Sequence, residues 1–475
     1  MKKILFTLVA SFLFLICSAQ SFQVSLQCDF KSGTAYLTYH QGGSLLVEDS
    51  AEVNGKGIAV FKGKRNLPPG IYAIVFPGKK FTADFLVGKQ KDINISIFAN
   101  TNDLTKMQVT GSAENILFKQ YQQITAIKGK KLFAEKQAYN AARTATDSAL
   151  HQTKYTQLNN ELNSYRNNLI ATRPGSMMAI ILQAMKESPL PQKIAVTHQD
   201  SIDNYHFYKS HYWDGISFMD DCVVRTPFFV PKLKRYYQEV MPKDADSIIK
   251  DAAYRLLLAR SAPELYKYLL NWLTDEYLNP KYMGQDAVFV YLFNNYHSKG
   301  LSPWLNEKQM EAITRRAYML MANLVGEKAA NLEFLNTADK ISSLYDLKSA
   351  YTVVVFWDPN CGHCKEELPA MDSFYRADWK NKNVQIYAVL SEGDISGWKK
   401  YIDANNLSDW IHVHQTNEMR KADAEMQRAS FKQLYDVTQT PTLYLLDRDK
   451  RIVGKKLTLE QLNDLLQVKW KTAQK

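Results

Sequence analysis

The sequence predicts a multi-domain protein with an N-terminal antiparallel β-sandwich, a central all-α region and a C-terminal α/β domain. Three patterns support this prediction. Apolar and polar residues alternate in the first part, a long stretch with helical spacing and no glycine or proline follows, and apolar strands then alternate with helices. We place the three predicted domains at residues 20–112, 113–325 and 326–475 of the 475-residue chain.

The first residues have the pattern of a secretory signal peptide, residues 1–19. Lys2 and Lys3 precede an apolar run, Ile4–Ile16, which is too short to span a bilayer as a helix. A lipid on Cys17 is disfavoured because a large residue stands before it. The pattern predicts a soluble protein, secreted across the inner membrane into the periplasm, where disulfides form and persist.

The composition is that of a globular protein, with 46% hydrophobic and 23% charged residues. The formal net charge is +11, but basic runs are as short as Lys62–Arg65 and no nucleic-acid motif is present. We interpret the charge as a diffuse basic surface and expect no nucleic-acid partner.

The first predicted domain consists of short strands separated by turn residues. Val24, Leu26, Cys28 and Phe30 alternate with polar residues, as in a strand with one buried face. We therefore interpret Cys28 as a core residue. The other predicted strands are Ala35–Tyr39, Ile58–Phe61, Ile71–Phe76, Ala83–Val87 and Ile93–Ile97.

The second predicted domain begins with a long helical segment, because Lys130–Arg173 contains neither glycine nor proline. Its apolar residues step by three and four, with one break, as in a helix seam. This pattern favours a helical hairpin packed on its own chain, and a dimerisation arm is the alternative. Helical signals continue to about Val325, and we interpret the many aromatic residues there as bundle core. A bridge between Cys28 and Cys222 is left open.

The third predicted domain alternates strands and helices, which predicts a mostly parallel sheet. The predicted elements are strand Tyr351–Trp357, helix Lys365–Ala377, strand Val384–Leu390, helix Gly397–Asn405, strands Thr442–Leu446 and Arg451–Gly454, and helix Leu459–Val468.

Cys361 and Cys364 are two residues apart, at the point where an apolar strand gives way to a helix. A cysteine at a helix N-terminus faces unpaired N–H groups and the positive end of the dipole, which lower its pKa. Cys364 lies one turn later, so the pair can cycle between dithiol and disulfide. Zinc is disfavoured because no second ligand pair has suitable spacing. A structural bridge is disfavoured because its loop is tiny.

Three other positions add chemistry to this pair. His363 can donate a hydrogen bond or a positive charge to the Cys361 thiolate and so tune the redox potential. Glu367 lies three residues after Cys364 on the same helix face, where it can accept the proton that Cys364 loses. Thr440-Pro441 precedes an apolar strand and predicts a cis bond beside the cysteines, with backbone available to an extended substrate.

The C-terminal third resembles the thioredoxin superfamily, and within it the TlpA/ResA-like thiol–disulfide oxidoreductases of bacterial envelopes. The resemblance is carried by Phe356-Trp357, by Cys361-Gly-His-Cys364-Lys-Glu-Glu367-Leu-Pro369 and by Thr440-Pro441. It implies that Cys361, Cys364, Glu367 and His363 are catalytic and that Trp357, Thr440 and Pro441 bind substrate. It also implies an insert within Ser391–Lys432. Val355 stands where thioredoxin has a buried acid, which leaves Glu367 as the candidate for proton transfer.

The favoured function is thiol–disulfide exchange with protein disulfide or dithiol substrates, without a cofactor or a metal. The resemblance implies a reductant fed by a membrane electron donor, whereas the Gly-His dipeptide is shared with disulfide isomerases, so the direction stays open. A homodimer belongs to the less favoured alternative, in which the helical seam is a dimerisation arm. The alternative is an envelope binding or assembly protein in which the first two domains do the main work.

Overall fold

The computed structural model describes residues 22–90, 93–191 and 193–473, and the predicted signal peptide lies outside them. The chain divides into two compact units. The first comprises Met1–Met241 and Arg255–Tyr268, and the second comprises Pro242–Tyr254 and Leu269–Lys475. Helical residues contribute to both units. The division into a signal peptide and three domains remains a prediction.

Eight strands open the described chain: β1 (Phe22–Gln27), β2 (Thr34–Gln41), β3 (Ser44–Glu52), β4 (Ile58–Gly63), β5 (Gly70–Val75), β6 (Thr82–Val87), β7 (Ile93–Phe98) and β8 (Gln108–Thr110). They form two four-stranded sheets with the orders β4-β1-β7-β8 and β3-β2-β5-β6. β1 and β7 pair in parallel, so the predicted purely antiparallel sandwich is not confirmed. Alternation along the sequence identifies strands, but it does not say which strands become neighbours.

Side chains of both sheets share one hydrophobic cluster, which includes Val24, Leu37 and Cys28. Cys28 is therefore a core residue, as predicted. Cys222 is buried in a different cluster, and both cysteines are free thiols in the structure, so the bridge left open above is not formed. The prediction missed β3 because most of that strand is exposed and carries no alternating apolar pattern.

The helical part contains α1 (Ala113–Ala141), α2 (Ala145–Thr172), α3 (Met177–Ala184), α4 (His198–Ser210), α5 (Phe229–Arg235), α6 (Ala245–Leu258), α7 (Pro263–Leu278), α8 (Asp286–Leu292) and α9 (Glu307–Met321). α1 and α2 form the hairpin that the sequence favoured. The rings of Tyr121 and Tyr165 stack across it at 6.4 Å, and Lys128 pairs with Glu161 at 2.6 Å. The Thr144 hydroxyl starts α2 by accepting from the Asp147 N–H.

The C-terminal part contains β9 (Glu333–Asn336), β10 (Ile341–Ser343), β11 (Tyr351–Trp357), α10 (Gly362–Phe374), β12 (Val384–Leu390), α11 (Ile395–Ala404), β13 (Ile411–His414), α12 (Asn417–Glu425), α13 (Phe431–Leu434), β14 (Thr442–Asp447), β15 (Ile452–Leu457) and α14 (Leu459–Ala473). Every strand and helix predicted after residue 350 is present. α12 and α13 lie between β13 and β14.

The C-terminal sheet has the order β10-β9-β13-β12-β11-β14-β15. Only β11–β12 and β12–β13 are parallel neighbours, and the other pairs are antiparallel. The prediction of a mostly parallel sheet is wrong, because β14 and β9 run antiparallel to the parallel core on its two sides. The hairpins β14–β15 and β9–β10 then add one more antiparallel strand at each edge. β11 is central and packs on both faces: Val353 and Val355 belong to one hydrophobic cluster, and Val354 and Phe356 to another. The turn with the cysteines follows the carboxyl end of this buried strand.

No helix within the described ranges is long and apolar enough to cross a bilayer.

Candidate active site

The turn between β11 and α10 positions the first cysteine. The Asp358 side chain accepts from the Asn360 N–H at 2.8 Å, and the Asp358 carbonyl accepts from the Cys361 N–H at 3.1 Å. Cys361 is the N-cap residue of α10, with an extended backbone conformation, and no side chain caps this end. The first N–H groups of α10 therefore point toward the Cys361 sulfur, and they favour a negative charge there.

Cys361 is half-buried, and its Sγ lies 3.2 Å from the Thr440 carbonyl oxygen. The carbonyl can accept only from the protonated thiol. Burial, the largest influence on the Cys361 pKa, raises it, but hydrogen bonds from the Thr440 side chain and from Cys364 outweigh burial, and the pKa is lowered. Because the thiolate is the nucleophilic form, the lowered pKa favours Cys361 over a thiol of ordinary pKa as a nucleophile.

Cys364 has the opposite character, because only 1% of its surface is exposed. Burial raises the pKa of its thiol to about 12, and the neighbouring Cys361 sulfur acts in the same direction. Both cysteines are free in the structure, which therefore has the dithiol form. A buried thiol of high pKa does not attack substrates from solution, and it needs a base before it can react with Cys361.

Glu367 is the half-buried carboxylate of α10, one turn beyond Cys364, whereas Glu366 is exposed. Burial raises the pKa of Glu367, and the charge of Glu460 at the start of α14 raises it further. His363 is exposed on the same helix, and its charge lowers that pKa. A raised pKa moves a carboxyl group toward the range in which it can both accept and release a proton.

The Thr440–Pro441 peptide bond is cis, as predicted, and both residues are half-buried. β14 begins only at Thr442, whose hydroxyl donates to the Gln439 carbonyl at 2.6 Å. Thr440 therefore precedes the sheet and lies against Cys361. The structure brings the predicted cysteines, Glu367, His363 and this loop to the same end of the sheet.

Trp357 is the exception among the predicted site residues. It is fully buried, and its ring packs on Tyr401 at 5.4 Å and on His412 at 6.0 Å. A ring with no exposed surface cannot contact a substrate, so the assignment of Trp357 to substrate binding is corrected. Trp357 is the last residue of β11, the strand that leads into the cysteine turn.

Two residues near the site were missed from sequence. Glu460 acts on Glu367 from α14, and Tyr401 on α11 is close enough to Cys364 for that sulfur to raise its pKa, after the larger effect of burial. Neither has a motif around it, and only the fold brings them to α10. Within the described residues no group of three or more His, Cys, Asp and Glu side chains could hold a metal ion.

Two family models match separate parts of the chain. Residues 325–455 match the AhpC/TSA family, and residues 22–118 match a domain of unknown function, DUF4369. The thiol-disulfide oxidoreductase ResA of Oceanobacillus iheyensis is 27% identical over 149 residues, which cover 30% of this chain and 71% of ResA. The sporulation thiol-disulfide oxidoreductase A of Bacillus subtilis is 30% identical over 122 residues, which cover 25% of this chain and 67% of that protein.

The chain belongs to the ResA-like thiol-disulfide oxidoreductases of the thioredoxin superfamily. Among solved structures, this oxidoreductase is similar to a domain of a possible thiol-disulfide isomerase from Cytophaga hutchinsonii, with 32% identity and a TM-score of 0.28. That match covers 32% of this chain and 96% of the domain. A thioredoxin-like protein from Bacteroides caccae matches with 20% identity and a TM-score of 0.43, over 60% of this chain and 99% of that protein.

Proposed function

We propose that this oxidoreductase exchanges disulfides with protein substrates through Cys361 and Cys364. The observation that carries the proposal is the contrast between the two sulfurs. Cys361 is half-buried, with a lowered pKa, whereas Cys364 is buried, with a pKa of about 12. One sulfur is suited to attack a partner and the other to resolve the product.

In the reducing direction, the Cys361 thiolate attacks a substrate disulfide, forms a mixed disulfide and releases the second substrate sulfur as a thiolate. Cys364 then transfers its proton to Glu367, and its sulfur attacks Cys361. This step forms the Cys361–Cys364 disulfide and releases the remaining substrate thiolate. Two electrons pass from the protein to the substrate, and the raised pKa of Glu367 suits it to take up the proton.

Thr440, Pro441 and His363 support the same reaction from the surface of the site. The Thr440 backbone is beside the nucleophile, where an extended substrate segment could pair with it by main-chain hydrogen bonds. His363 is exposed at the first turn of α10, and its positive form would stabilise the Cys361 thiolate. We assign substrate positioning to the loop and adjustment of the redox potential to His363.

The cellular setting is part of the proposal. The predicted signal peptide, residues 1–19, favours the periplasm as the compartment. A membrane electron donor would then return the disulfide to the dithiol in the reductase direction, whereas a cycle of isomerisation consumes no electrons overall. The redox midpoint of the Cys361–Cys364 couple distinguishes the two directions. A difference of about 30 mV between this midpoint and that of a partner changes the free energy of exchange by ~1.4 kcal/mol.

Substrate trapping tests the proposal. We expect a Cys364→Ser variant, expressed in the native compartment, to accumulate mixed disulfides with other proteins, because Cys361 still attacks while the resolving sulfur is gone. A Cys361→Ser variant is the matched control and should trap none. If Cys361 in the trapping variant reacts with small disulfides but captures no protein, protein substrates are the wrong assignment.

A second candidate is a binding or assembly role for the α1–α2 hairpin, and a specific observation favours it. The hairpin leaves apolar side chains in solvent, and the Phe133 side chain is 66% exposed. Such residues mark interaction surfaces when they occur together, and a homodimer through the hairpin is the simplest form of this proposal. Sedimentation of the wild-type protein and of Phe133→Glu, with Lys136→Glu as control, tests it. A monomer at all concentrations contradicts the homodimer.

A further inference from the structure

The cysteine turn has a neighbouring cleft that the proposed reaction does not use. β11, β12 and β13 are parallel neighbours, so their carboxyl ends meet at one edge of the sheet. The residues that follow these ends are Asp358, Ser391 and Gln415. This edge is where ligands bind in open α/β sheets. We call the cavity there the strand-end cleft; it has a volume of about 600 Å³ and is lined by Ser391–Gly393 and by residues between Gln415 and Gln433.

The strand-end cleft is joined directly to the redox site. The Ser391 N–H donates to the Trp357 carbonyl at 2.8 Å, which fixes the cleft to the end of β11. Gly393 has a φ of +101°, and a Cβ added to it would lie 3.2 Å from the Asp358 Oδ1. The backbone at Gly393 therefore lies against the turn that leads into Cys361. A substrate segment bound at Cys361 has this cleft beside it.

The charges of the strand-end cleft leave one cation without an ion pair. Lys432 pairs with Glu392 at 2.6 Å, and Arg428 pairs with Asp423 at 3.7 Å. Asp423 also accepts from the Gln415 amide at 2.7 Å, so the two acids of the lining already have partners. Arg420 is exposed on α12 and makes no ion pair within 4 Å among the described residues, and its charge lowers the pKa of Glu392 less than Lys432 does. Its guanidinium can take a carboxylate in two parallel hydrogen bonds.

Ser391 provides a second, independent sign of a ligand. Only 3% of its surface is exposed, and its Oγ has no hydrogen-bond partner among the described residues. Buried hydroxyl groups in native proteins are almost always paired, so an unpaired one that lines a cleft points to an absent partner. A carboxylate can accept from a serine hydroxyl as well as from a guanidinium.

We infer that the strand-end cleft recognises an acidic side chain of the substrate protein, close in sequence to the cysteine that Cys361 attacks. This inference rests on the proposed function, since it names the kind of protein segment on which that reaction acts. The Arg420 guanidinium and the Ser391 hydroxyl receive the carboxylate, while the substrate backbone lies along Thr440. Arg420 and Ser391 are binding residues and take no part in bond exchange.

The test uses two short peptides, each with one cysteine joined to 2-thiopyridine as a mixed disulfide, that differ only in Glu or Lys two residues from the cysteine. Attack of reduced Cys361 on the peptide sulfur joins the peptide to the protein and releases 2-thiopyridone, which absorbance follows. For the full-length Cys364→Ser protein at low salt, we expect the Glu peptide to react about fivefold faster, and the preference to shrink as salt screens the charges.

The charge-reversal variant Arg420→Glu, made in the same background, should abolish or invert this preference. Lys421→Glu makes the same charge change on α12 outside the lining of the cleft, and should keep the preference within about twofold. Equal rates for the two peptides with the parent protein, or equal effects of the two variants, would overturn the inference. Reaction of the parent protein with uncharged 2,2′-dithiodipyridine tests the proposed function separately, because failure there means that Cys361 is not nucleophilic.

Discussion

Cys361 and Cys364 lie one helical turn apart but in different surroundings. The first is at the open end of α10, beside the Thr440 carbonyl, and the second is among apolar side chains. The helix end and the loop stabilise an anion at one sulfur, while burial opposes it at the other. The order of the two attacks in the proposed reaction follows from this difference in environment.

The first prediction concerns the contribution of Thr440 to the Cys361 pKa. In the Cys364→Ser background, the rate of alkylation by iodoacetamide should rise with pH around a midpoint below 9.0, the ordinary cysteine value. Thr440→Val removes a hydroxyl donor to the thiolate and should raise the midpoint by about half a unit to one unit. Thr440→Ser keeps the hydroxyl and should leave the midpoint near its original value. Equal midpoints in Thr440→Val and the parent contradict this account.

The second prediction concerns proton transfer from Cys364. Glu367→Gln should slow resolution of a preformed mixed disulfide on Cys361 by about a hundredfold, because a glutamine amide cannot accept the proton that Cys364 loses. The rate is measured as release of a bound thiol in stopped flow.

Glu460 tests the same step from a distance. Its charge raises the pKa of Glu367, so Glu460→Gln should lower that pKa and move the pH dependence of resolution to lower pH. Asp464→Asn, an exposed residue on the same helix, is the control. A pH profile that is unchanged in Glu460→Gln would show that Glu367 is not the proton acceptor.

At this scale the sequence predicts what depends on a single turn of chain. Cys361, Cys364 and Glu367 are three residues apart in succession, and any helix there places them on one side. Glu460 is far along the chain, and only the packing of α14 brings it close. Trp357 was misassigned although it ends a continuous apolar run, a pattern that already indicates burial on both faces.

At the scale of elements, β15 is held to α8 by a buried ion pair between Lys455 and Asp286. The Lys455 ammonium also donates to the carbonyl and the side chain of Asn323, at 2.8 and 2.7 Å. The second oxygen of Asp286 is buried and has no partner within the described residues. Burial lowers the pKa of Lys455, and the Asp286 charge opposes that shift. The cost of burying both charges offsets much of their attraction, so removing one partner destabilises the protein more than removing both.

The third prediction follows from this arrangement. Lys455→Met leaves the Asp286 carboxylate buried without its cation, and should lower the free energy of unfolding by about 3 to 5 kcal/mol. The double variant Lys455→Met, Asp286→Leu removes both charges and should recover most of that loss. Denaturation by urea, followed by circular dichroism, measures both. A single variant as stable as the wild type would mean that water reaches the pair.

Elements with a clear apolar pattern were predictable from the sequence, whereas the shorter elements beside them were not. β11 and β12 are mostly apolar and buried along their length, which is why their positions were correct. β13 has only four residues and was missed, as were the short α12 and α13 that form the strand-end cleft. Short segments carry too few residues for a period to show.

At the scale of the whole molecule, buried histidines make stability depend on pH. The His297 ring forms hydrogen bonds with the hydroxyls of Thr274 and Ser302. The His412 ring packs against Trp357 at the end of β11. Burial lowers the pKa of each from 6.5 to about 4. The unfolded chain therefore binds protons between these values while the folded protein does not, and the free energy of unfolding falls as the pH falls from about 6.5 to about 4.

The fourth prediction puts a size on this effect. Each histidine should lower the free energy of unfolding by on the order of 2 kcal/mol as the pH falls from about 6.5 to about 4. Above pH 7 neither histidine should change the free energy of unfolding with pH. Urea denaturation at pH 7.5 and pH 4.5 gives the difference. His297→Gln should reduce it, because the glutamine amide does not titrate, while the exposed His363→Gln should not. A His297→Gln protein with the full wild-type difference contradicts the assignment of this acid sensitivity to His297.

Across the whole chain, the sequence predicts a β-rich start, a helical middle and an α/β end, and each is present. The parallel pairing of β1 with β7 was not predictable, because the two strands are about 70 residues apart and alternation has no direction. The two compact units are also a property of packing, since α6 and α7 each contribute residues to both.

Gly393 sets a limit on how this enzyme could diversify. Its backbone has a left-handed conformation, and the space for a side chain is already taken by Asp358 and Pro359. New specificities can therefore arise by exchanging side chains on α12, where the chain faces solvent, but not at this glycine. In a library of variants, almost every substitution at position 393 should impair folding. Position 420 should accept many residues, and its substitutions should change which protein substrates are preferred.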